Sequence, residues 1–125
     1  MEAWIGLMSG TSMDGIDAVL VSFQGQPARI HASHTVPYPD QIRHRLLAAS
    51  QNQATPDEIG ELDTLAGTLF AQAAAEVIRH SGLCASAIRA IGSHGQSLRP
   101  QPVVGYPYPI HIAHSAGTPE PTRPP

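Results

Sequence analysis

Residues 10–17, Gly-Thr-Ser-Met-Asp-Gly-Ile-Asp, combine the residue types that can surround a phosphate group. The two glycines permit close approach of the backbone to a ligand, and the hydroxyls of Thr11 and Ser12 add hydrogen-bond donors. Asp14 and Asp17 could bind Mg²⁺ beside a phosphate, or could equally stabilise turns by accepting backbone hydrogen bonds. The residues alone leave open whether this loop binds an anion or only connects two strands.

A second group of polar residues follows an apolar stretch later in the chain. Residues 87–93 predict a short buried strand that ends in Ser93-His94-Gly95-Gln96. Polar groups at the point where a strand leaves an α/β sheet tend to face the ligand crevice. His94 and Gln96 could therefore bind a sugar or a phosphate, or His94 could merely satisfy the backbone of its own loop.

The chain has seven arginines and no lysine, which narrows the kinds of phosphate site that it could form. A Walker-type P-loop and a protein-kinase site both require a lysine, so both are excluded. The charge of a bound phosphate would have to be met by backbone N–H groups, hydroxyls and Mg²⁺.

Apolar stretches on both sides of the loop predict the strands that position it. Residues 4–8 and 16–23 are apolar and partly β-branched, as buried strands are. After a turn at Gly25-Gln26-Pro27, residues 28–36 alternate and predict a third strand. Short turns between consecutive strands predict an antiparallel meander. The side chains expected on one face of the third strand are Ile30, Ala32, His34 and Val36.

Two helices are predicted next. Asp40 could cap a short helix over residues 40–50. Thr55-Pro56-Asp57-Glu58 combines a threonine N-cap, a proline at the first helical position and a glutamate placed for a capping box. An apolar stripe follows at helical spacing and Gly82 supplies the stop, so we expect a long helix that covers one face of the sheet.

Composition limits the class of protein. The 125 residues, 42% of them hydrophobic, suffice for one domain with a core. The net charge of −3 and the lack of a basic stripe argue against nucleic acid or an anionic membrane as a partner. No apolar run approaches the ~20 residues that span a bilayer, and no signal peptide is recognisable, so we expect a cytoplasmic protein. Cys84 is expected to be buried as a small hydrophobic residue.

Two segments resemble one family of bacterial enzymes. IGLMSGTSMDGIDAVLV, residues 5–21, closely resembles the N-terminal signature of the anhydro-N-acetylmuramic acid kinases, members of the sugar kinase and actin-like ATPase superfamily. GSHGQSLRP, residues 92–100, resembles the GSHGQT segment of the same family at about the expected distance. The similarity runs from residue 4 to about residue 113.

The resemblance implies an α/β fold, namely the N-terminal part of an actin-like (ribonuclease H-like) ATPase domain, with the three-strand meander followed by helices and a further strand. The family uses ATP and Mg²⁺ to convert 1,6-anhydro-N-acetylmuramic acid to N-acetylmuramic acid 6-phosphate in peptidoglycan recycling. Asp14 and Asp17 are the candidates for the metal, and His94 and Gln96 for the substrate. The residues implied to bind ATP are Gly10, Thr11, Ser12, Met13, Asp14, Gly15, Ile16 and Asp17.

The sequence departs from these patterns in several places. Met8 stands where an aspartate begins the phosphate loop of the wider superfamily, and His111 and His114 stand where the family has glutamine and aspartate. Eight of the twelve prolines lie in the last 26 residues. We therefore expect a partial N-terminal kinase domain over residues 1–113 and a Pro-rich, disordered or aberrant tail over 114–125, in a truncated or frame-shifted product or a deliberately made fragment.

The general base of the family is an aspartate C-terminal to every residue in this chain, so no catalytic residue is assigned. We expect these 125 residues to be inactive alone, with ATP and the anhydro-amino-sugar as ligands and a homodimer as one possible assembly. The alternative is a stand-alone nucleotide- or phosphate-binding module without catalysis. A serine hydrolase is disfavoured, because residues 10–14 lack the final glycine of a nucleophile elbow.

Overall fold

Five strands and two α-helices form the described part of the chain. The computed structural model describes residues 2–10, 12–23, 27–99 and 110–112. A short 3₁₀ turn, Ala85–Ala87, precedes the fourth strand. The strands and α-helices are β1 (Ala3–Ser9), β2 (Gly15–Ser22), β3 (Arg29–Pro37), α1 (Asp40–Ser50), α2 (Pro56–Ser81), β4 (Ile88–Arg99) and β5 (Ile110–Ile112).

The strands form one mixed sheet in the order β3-β2-β1-β4-β5. β1 pairs with β2 and β2 pairs with β3, in both cases antiparallel, whereas β4 runs parallel to β1 on its other side. β5 pairs antiparallel with β4. Alternate residues of β1 and β2 are buried, as expected for strands with one face against a core. The predicted α/β class is confirmed, and the predicted strands on both sides of the 10–14 loop lie side by side.

The alternation predicted for the third strand is interrupted by a β-bulge. Leu20 pairs with Ala32 but Val21 pairs with Ile30, so His31 is an extra residue in β3. Ile30 therefore lies on the opposite face of the sheet from Ala32, and it is 66% exposed. The prediction that the two share a face was wrong, because a period of two holds only where the pairing register is unbroken.

The long helix α2 begins and ends at the predicted residues. Glu58 N–H donates to Thr55 Oγ1 at 3.2 Å, and Thr55 N–H donates to Glu58 Oε1 at 3.0 Å, which completes the capping box. These hydrogen bonds lower the pKa of Glu58. Gly82 ends the helix with a φ of 74°. In α1, by contrast, Asp40 is the first helical residue and Pro39 occupies the cap position, so the predicted Asp40 cap was wrong.

The core lies between one face of the sheet and the two helices. α2 packs across β2 and β3, and α1 contacts β4. Burial of each large apolar side chain there contributes about 1.5–3 kcal/mol. Cys84, which was expected in this core, is exposed because it lies just before the 3₁₀ turn. The largest side chains fully buried in this core include Met13, Ile16, Leu20, Leu46, Leu62, Phe70, Val77 and Ile88.

The opposite face of the sheet is open in the described part of the chain. The rings of Trp4 and Phe23 make an edge-to-face contact there, with centroids 5.2 Å apart. Met8, Phe23 and Ile30 are the exposed large apolar side chains of the described residues. Among those same residues, no helix is both long and apolar enough to cross a membrane.

Candidate functional site

The loop between β1 and β2, residues 10–14, lies at the carboxyl end of β1 and beside the parallel strand β4. Met13 N–H donates to the Gly10 carbonyl oxygen at 3.2 Å and closes a turn. Met13 has a φ of 57° and its side chain is buried, so the middle of the loop is anchored in the core. The carboxyl ends of parallel strands are where open α/β sheets bind ligands, and the loop is at such an end.

The two glycines that flank this turn have different roles. A Cβ at Gly15 would lie 2.7 Å from the Val36 carbonyl oxygen and 3.1 Å from Pro37 Cα, so β3 approaches β2 closely only because residue 15 has no side chain. A Cβ at Gly10 would meet only Ser12 Oγ, at 3.9 Å, and Gly10 does not have a positive φ. Among the described residues, nothing in the fold therefore requires glycine at position 10.

Buried polar groups hold the base of the loop. Ser9 Oγ donates to the Gly15 carbonyl oxygen at 2.6 Å, and the Tyr38 N–H donates to the Asp14 carbonyl oxygen at 3.1 Å. The Tyr38 side chain is also buried. Burial raises the pKa of the Tyr38 hydroxyl to about 12, and the nearby Ser9 side chain offsets only part of this effect.

The fourth strand is longer than the sequence predicts. It continues to Arg99 through a bulge in which His94 and Gly95 together stand opposite a single residue of β1. Gly95 has a φ of 76°, which glycine adopts without steric cost. The prediction that the strand ends at Ser93 was wrong, because this glycine lets the pairing resume beyond a turn-like sequence.

Gln96 joins β4 to the loop. Its side chain is fully buried, and Nε2 donates to the Gly10 carbonyl oxygen at 3.1 Å. His94 is exposed, so the two predicted substrate-binding residues lie in different environments. We call the residues that hold the loop from the core side the inner support. Its members are Ser9, Met13, Gly15, Tyr38 and Gln96.

The solvent side of the loop carries the groups that a ligand could reach. Gly10, Ser12 and Asp14 are exposed, and we call them the outer side of the loop. Arg43 of α1 contacts this side, with Nη2 3.5 Å from Asp14 Oδ1 and 3.3 Å from the Ser12 carbonyl oxygen. Backbone and hydroxyl groups beside a carboxylate and a guanidinium can together bind a phosphate and its metal ion.

The predicted ATP-binding residues are not equally placed to contact a ligand. The side chains of Met13 and Ile16 are buried in the core, so they could contact a ligand only through their backbones. Asp17 is exposed, and its Oδ1 accepts a hydrogen bond of 2.7 Å from Thr35 Oγ1. Thr11 lies outside the described residues, as do His114 and the predicted tail over 114–125.

The donors on the outer side of the loop suit a magnesium ion that is bound partly by phosphate oxygens and water, and not by protein side chains alone. No group of three or more His, Cys, Asp or Glu side chains that could hold a metal occurs in the part of the chain that the structure describes. Mg²⁺ usually retains waters and takes one or two carboxylates plus phosphate oxygens. Asp14, with 76% of its side chain exposed, can supply such a carboxylate. Asp17 has a different partner, Thr35.

Sequence reasoning missed two residues that contact the loop, Tyr38 and Arg43. Both follow the third strand, in a segment that we interpreted only as a strand end and a helix start. The one local signal was an aromatic residue between two prolines, Pro37-Tyr38-Pro39, where an exposed turn would not need a large apolar ring. For Arg43 we find no such signal, because its contacts are with residues about 30 positions earlier in the chain.

Comparison with known proteins gives consistent matches. A model of the protein family described as "Anhydro-N-acetylmuramic acid kinase" matches residues 2–123. Curated proteins named anhydro-N-acetylmuramic acid kinase are similar to this chain: one from Vibrio vulnificus (strain CMCP6) is 44% identical over 108 residues, one from Chromobacterium violaceum is 46% identical over 110, and one from Xanthomonas oryzae pv. oryzae (strain MAFF 311018) is 47% identical over 104.

These alignments cover most of this chain and a minor part of each relative. They include 86%, 84% and 79% of the chain, in the same order, but 29%, 29% and 28% of the relatives. The chain therefore spans less than a third of the length of the curated relatives that it matches.

Proposed function

Because the chain belongs to the anhydro-N-acetylmuramic acid kinase family, we propose that it forms the N-terminal, phosphate-binding portion of an ATP-dependent sugar kinase. The reaction would convert 1,6-anhydro-N-acetylmuramic acid to N-acetylmuramic acid 6-phosphate in peptidoglycan recycling, in the cytoplasm. The ligands would be ATP with Mg²⁺ and the anhydro-amino-sugar.

The observation that carries this proposal is the room beside Gly10, where an added Cβ would meet only Ser12 Oγ, at 3.9 Å. A glycine that is needed neither for its φ nor to avoid a clash with the rest of the chain has no folding role in the described residues. Its absent side chain leaves the backbone accessible to a ligand, as phosphate-binding loops require. Gly15, which the fold does require, supplies the contrast.

The sheet topology supports an actin-like, ribonuclease H-like half-domain. Three sequential strands pair antiparallel, and the fourth runs parallel to the first, so the 10–14 loop lies at the carboxyl end of β1 and beside its parallel neighbour β4. We propose that residues 1–113 form this half-domain.

Within the site, the outer side of the loop would face the phosphates. The Ser12 hydroxyl and backbone N–H groups would bind phosphate oxygens, and Asp14 would hold the metal ion. Bound Mg²⁺ would neutralise phosphate charge during transfer. His94, exposed on β4, would contact the sugar, whereas Gln96 would act from below through the Gly10 carbonyl oxygen. Asp17 remains a second candidate for the metal.

The two carboxylates near the loop already have partners within the fold. Asp14 lies beside the Arg43 guanidinium, and Asp17 accepts a hydrogen bond from Thr35. We therefore propose that these residues bind and position phosphate without abstracting the proton from the attacking water.

The test is to incubate the purified 125-residue chain with MgATP and the anhydro-sugar, and to measure nucleotide binding and sugar phosphate separately. We expect saturable binding of MgATP and no sugar phosphate, because loss of a general base typically costs ~10²–10⁴ in rate and loss of positioning costs more. Saturable formation of sugar phosphate would show that a catalytic base lies within these residues.

A phosphate-binding module without catalysis is the second candidate. Hydrogen bonds at the loop favour this second candidate. Ser9, Tyr38 and Gln96, all within the described residues, hold the loop. A sharp thermal transition of a monomer at all concentrations would favour such a self-sufficient module.

The open sheet face supports homodimerisation as a further proposal. Met8, Phe23 and Ile30 present apolar surface on the face away from α2, and exposed apolar patches mark interaction sites. The variant Ile30→Thr should shift the chain toward the monomer in size-exclusion chromatography. An unchanged elution profile of a dimeric chain would exclude this face from the interface.

A further inference from the structure

Arg43 is the arginine that contacts the phosphate loop. Among the side chains that the structure describes, Arg45, Arg79 and Arg89 instead pair with glutamates away from the loop. Arg43 reaches the loop from the first turn of α1 and contacts two of its residues. The chain has no lysine, and among the arginine side chains that the structure describes, Arg43 is the one with contacts to the proposed phosphate site.

The two contacts of Arg43 act on different properties of the loop. Its Nη2 donates to the Ser12 carbonyl oxygen at 3.3 Å, while the N–H of the same peptide group, that of Met13, donates to the Gly10 carbonyl oxygen. This peptide is thereby fixed at both ends. The same Nη2 lies 3.5 Å from Asp14 Oδ1, so the positive charge also balances a carboxylate that would otherwise repel a polyphosphate.

One N–H group of Arg43 donates no hydrogen bond to any described residue. Its Nε is buried and finds no acceptor among the described residues. Buried donors without a partner are rare in folded proteins because they have lost the hydrogen bonds of water. A guanidinium with spare donor capacity beside an anion site can rearrange when a ligand arrives.

We propose that Arg43 is a positioning residue of the phosphate site, which holds the loop through the Ser12 carbonyl oxygen and balances the charge of Asp14 so that a polyphosphate can approach. This inference rests on the proposed function, since it presumes that the loop binds the phosphates of ATP. A guanidinium suits both tasks, because Nη2 carries two N–H donors and the group stays charged.

The chain offers a matched control on the same helix. Arg45 lies two residues later and pairs with Glu61 of α2 at 2.9 Å, remote from the loop. Arg45→Gln and Arg43→Gln each remove one positive charge and one ion pair from α1. A purely structural role of arginine in α1 should therefore affect both variants alike.

The experiment is an NMR titration of the 125-residue chain with MgATP, which follows the loop amides and measures the dissociation constant even when it is weak. We expect Arg43→Gln to bind about five- to tenfold more weakly than the parent chain, a loss of the size expected for one partly exposed charge interaction. Arg45→Gln should bind like the parent. Arg43→Lys keeps the charge and should retain most of the affinity.

A second arm uses ATP in the presence of EDTA, so that no metal bridges the nucleotide to Asp14. Here Asp14→Asn should restore the affinity lost in Arg43→Gln, because it removes the negative charge that Arg43 balances. A folded Arg43→Gln variant with parental affinity, or an Arg43→Lys variant as weak as Arg43→Gln, would overturn the inference alone. A parent chain that binds no MgATP would overturn the proposed function as well.

Discussion

The inner support and the outer side of the 10–14 loop differ in whether folding explains their residue types. Four of the five residues of the inner support are buried, and Ser9, Gly15 and Gln96 each have a contact within the fold that accounts for their type. The outer side is exposed, and no steric contact with the described residues requires a glycine at position 10. A residue type that folding does not explain is the better candidate for a role in ligand binding, and the following substitutions separate the two sides by their effect on stability.

The largest effect should come from Gly15→Ala. The new Cβ would lie 2.7 Å from the Val36 carbonyl oxygen, and because that atom belongs to the backbone, β2 and β3 would have to separate. We expect a loss of about 2–4 kcal/mol in the free energy of unfolding, measured by urea denaturation.

The control for that substitution is Gly60→Ala on the exposed side of α2, where a Cβ meets nothing within 4 Å. This variant should gain about 0.5–1 kcal/mol, because alanine favours helix. Equal stability of the Gly15→Ala and parent chains would mean that β3 does not approach β2 as closely as described.

The next effect depends on pH and involves Tyr38. Burial raises the pKa of its hydroxyl from 10 to about 12, so between these values the unfolded chain loses a proton that the folded chain keeps. Stability is therefore unaffected by this group below pH 10 and falls as the pH rises toward 12, by about 2–3 kcal/mol in total. Chemical denaturation across this range should show a shallower decline in Tyr38→Phe. An identical decline in stability in both chains would mean that the Tyr38 hydroxyl is exposed to water.

A smaller effect is expected from Gln96→Leu. The leucine fills a similar volume but cannot donate to the Gly10 carbonyl oxygen, so we expect a loss of about 1–2 kcal/mol and faster hydrogen exchange of the loop amides. Gln72, exposed on α2, provides the comparison, since Gln72→Leu should change stability by less than about 0.5 kcal/mol. If both variants behave alike, Gln96 does not hold the loop.

Local signals in the sequence predicted much of this structure. The capping box at Thr55 and the stop at Gly82 are set by residues within one helical turn, and both were confirmed. The strands beside the 10–14 loop were also predicted from local sequence, because glycine and hydroxyl residues separate their apolar runs. The family signature within this segment made the 10–14 loop the candidate phosphate site.

Features that depend on distant pairing could not be predicted in the same way. The bulges at His31 and Gly95 arise where one strand is matched to another, so they are invisible within the strand's own sequence. Gln96 and Gly10 are 86 positions apart, and only the parallel pairing of β1 with β4 brings them together. The inner support was therefore recognisable only from the structure.

The central claim, that the outer side of the loop binds the phosphates of ATP, is tested most directly by an NMR titration of MgATP into the parent chain and into Gly10→Val. A Cβ at position 10 would meet only Ser12 Oγ, at 3.9 Å, so the free energy of unfolding of the variant should stay within about 0.5 kcal/mol of the parent value. We predict saturable shifts of the Gly10, Ser12 and Asp14 amides in the parent chain and their loss in the variant. Equal MgATP affinity of the two folded chains would contradict the claim and exclude the loop from the phosphate site.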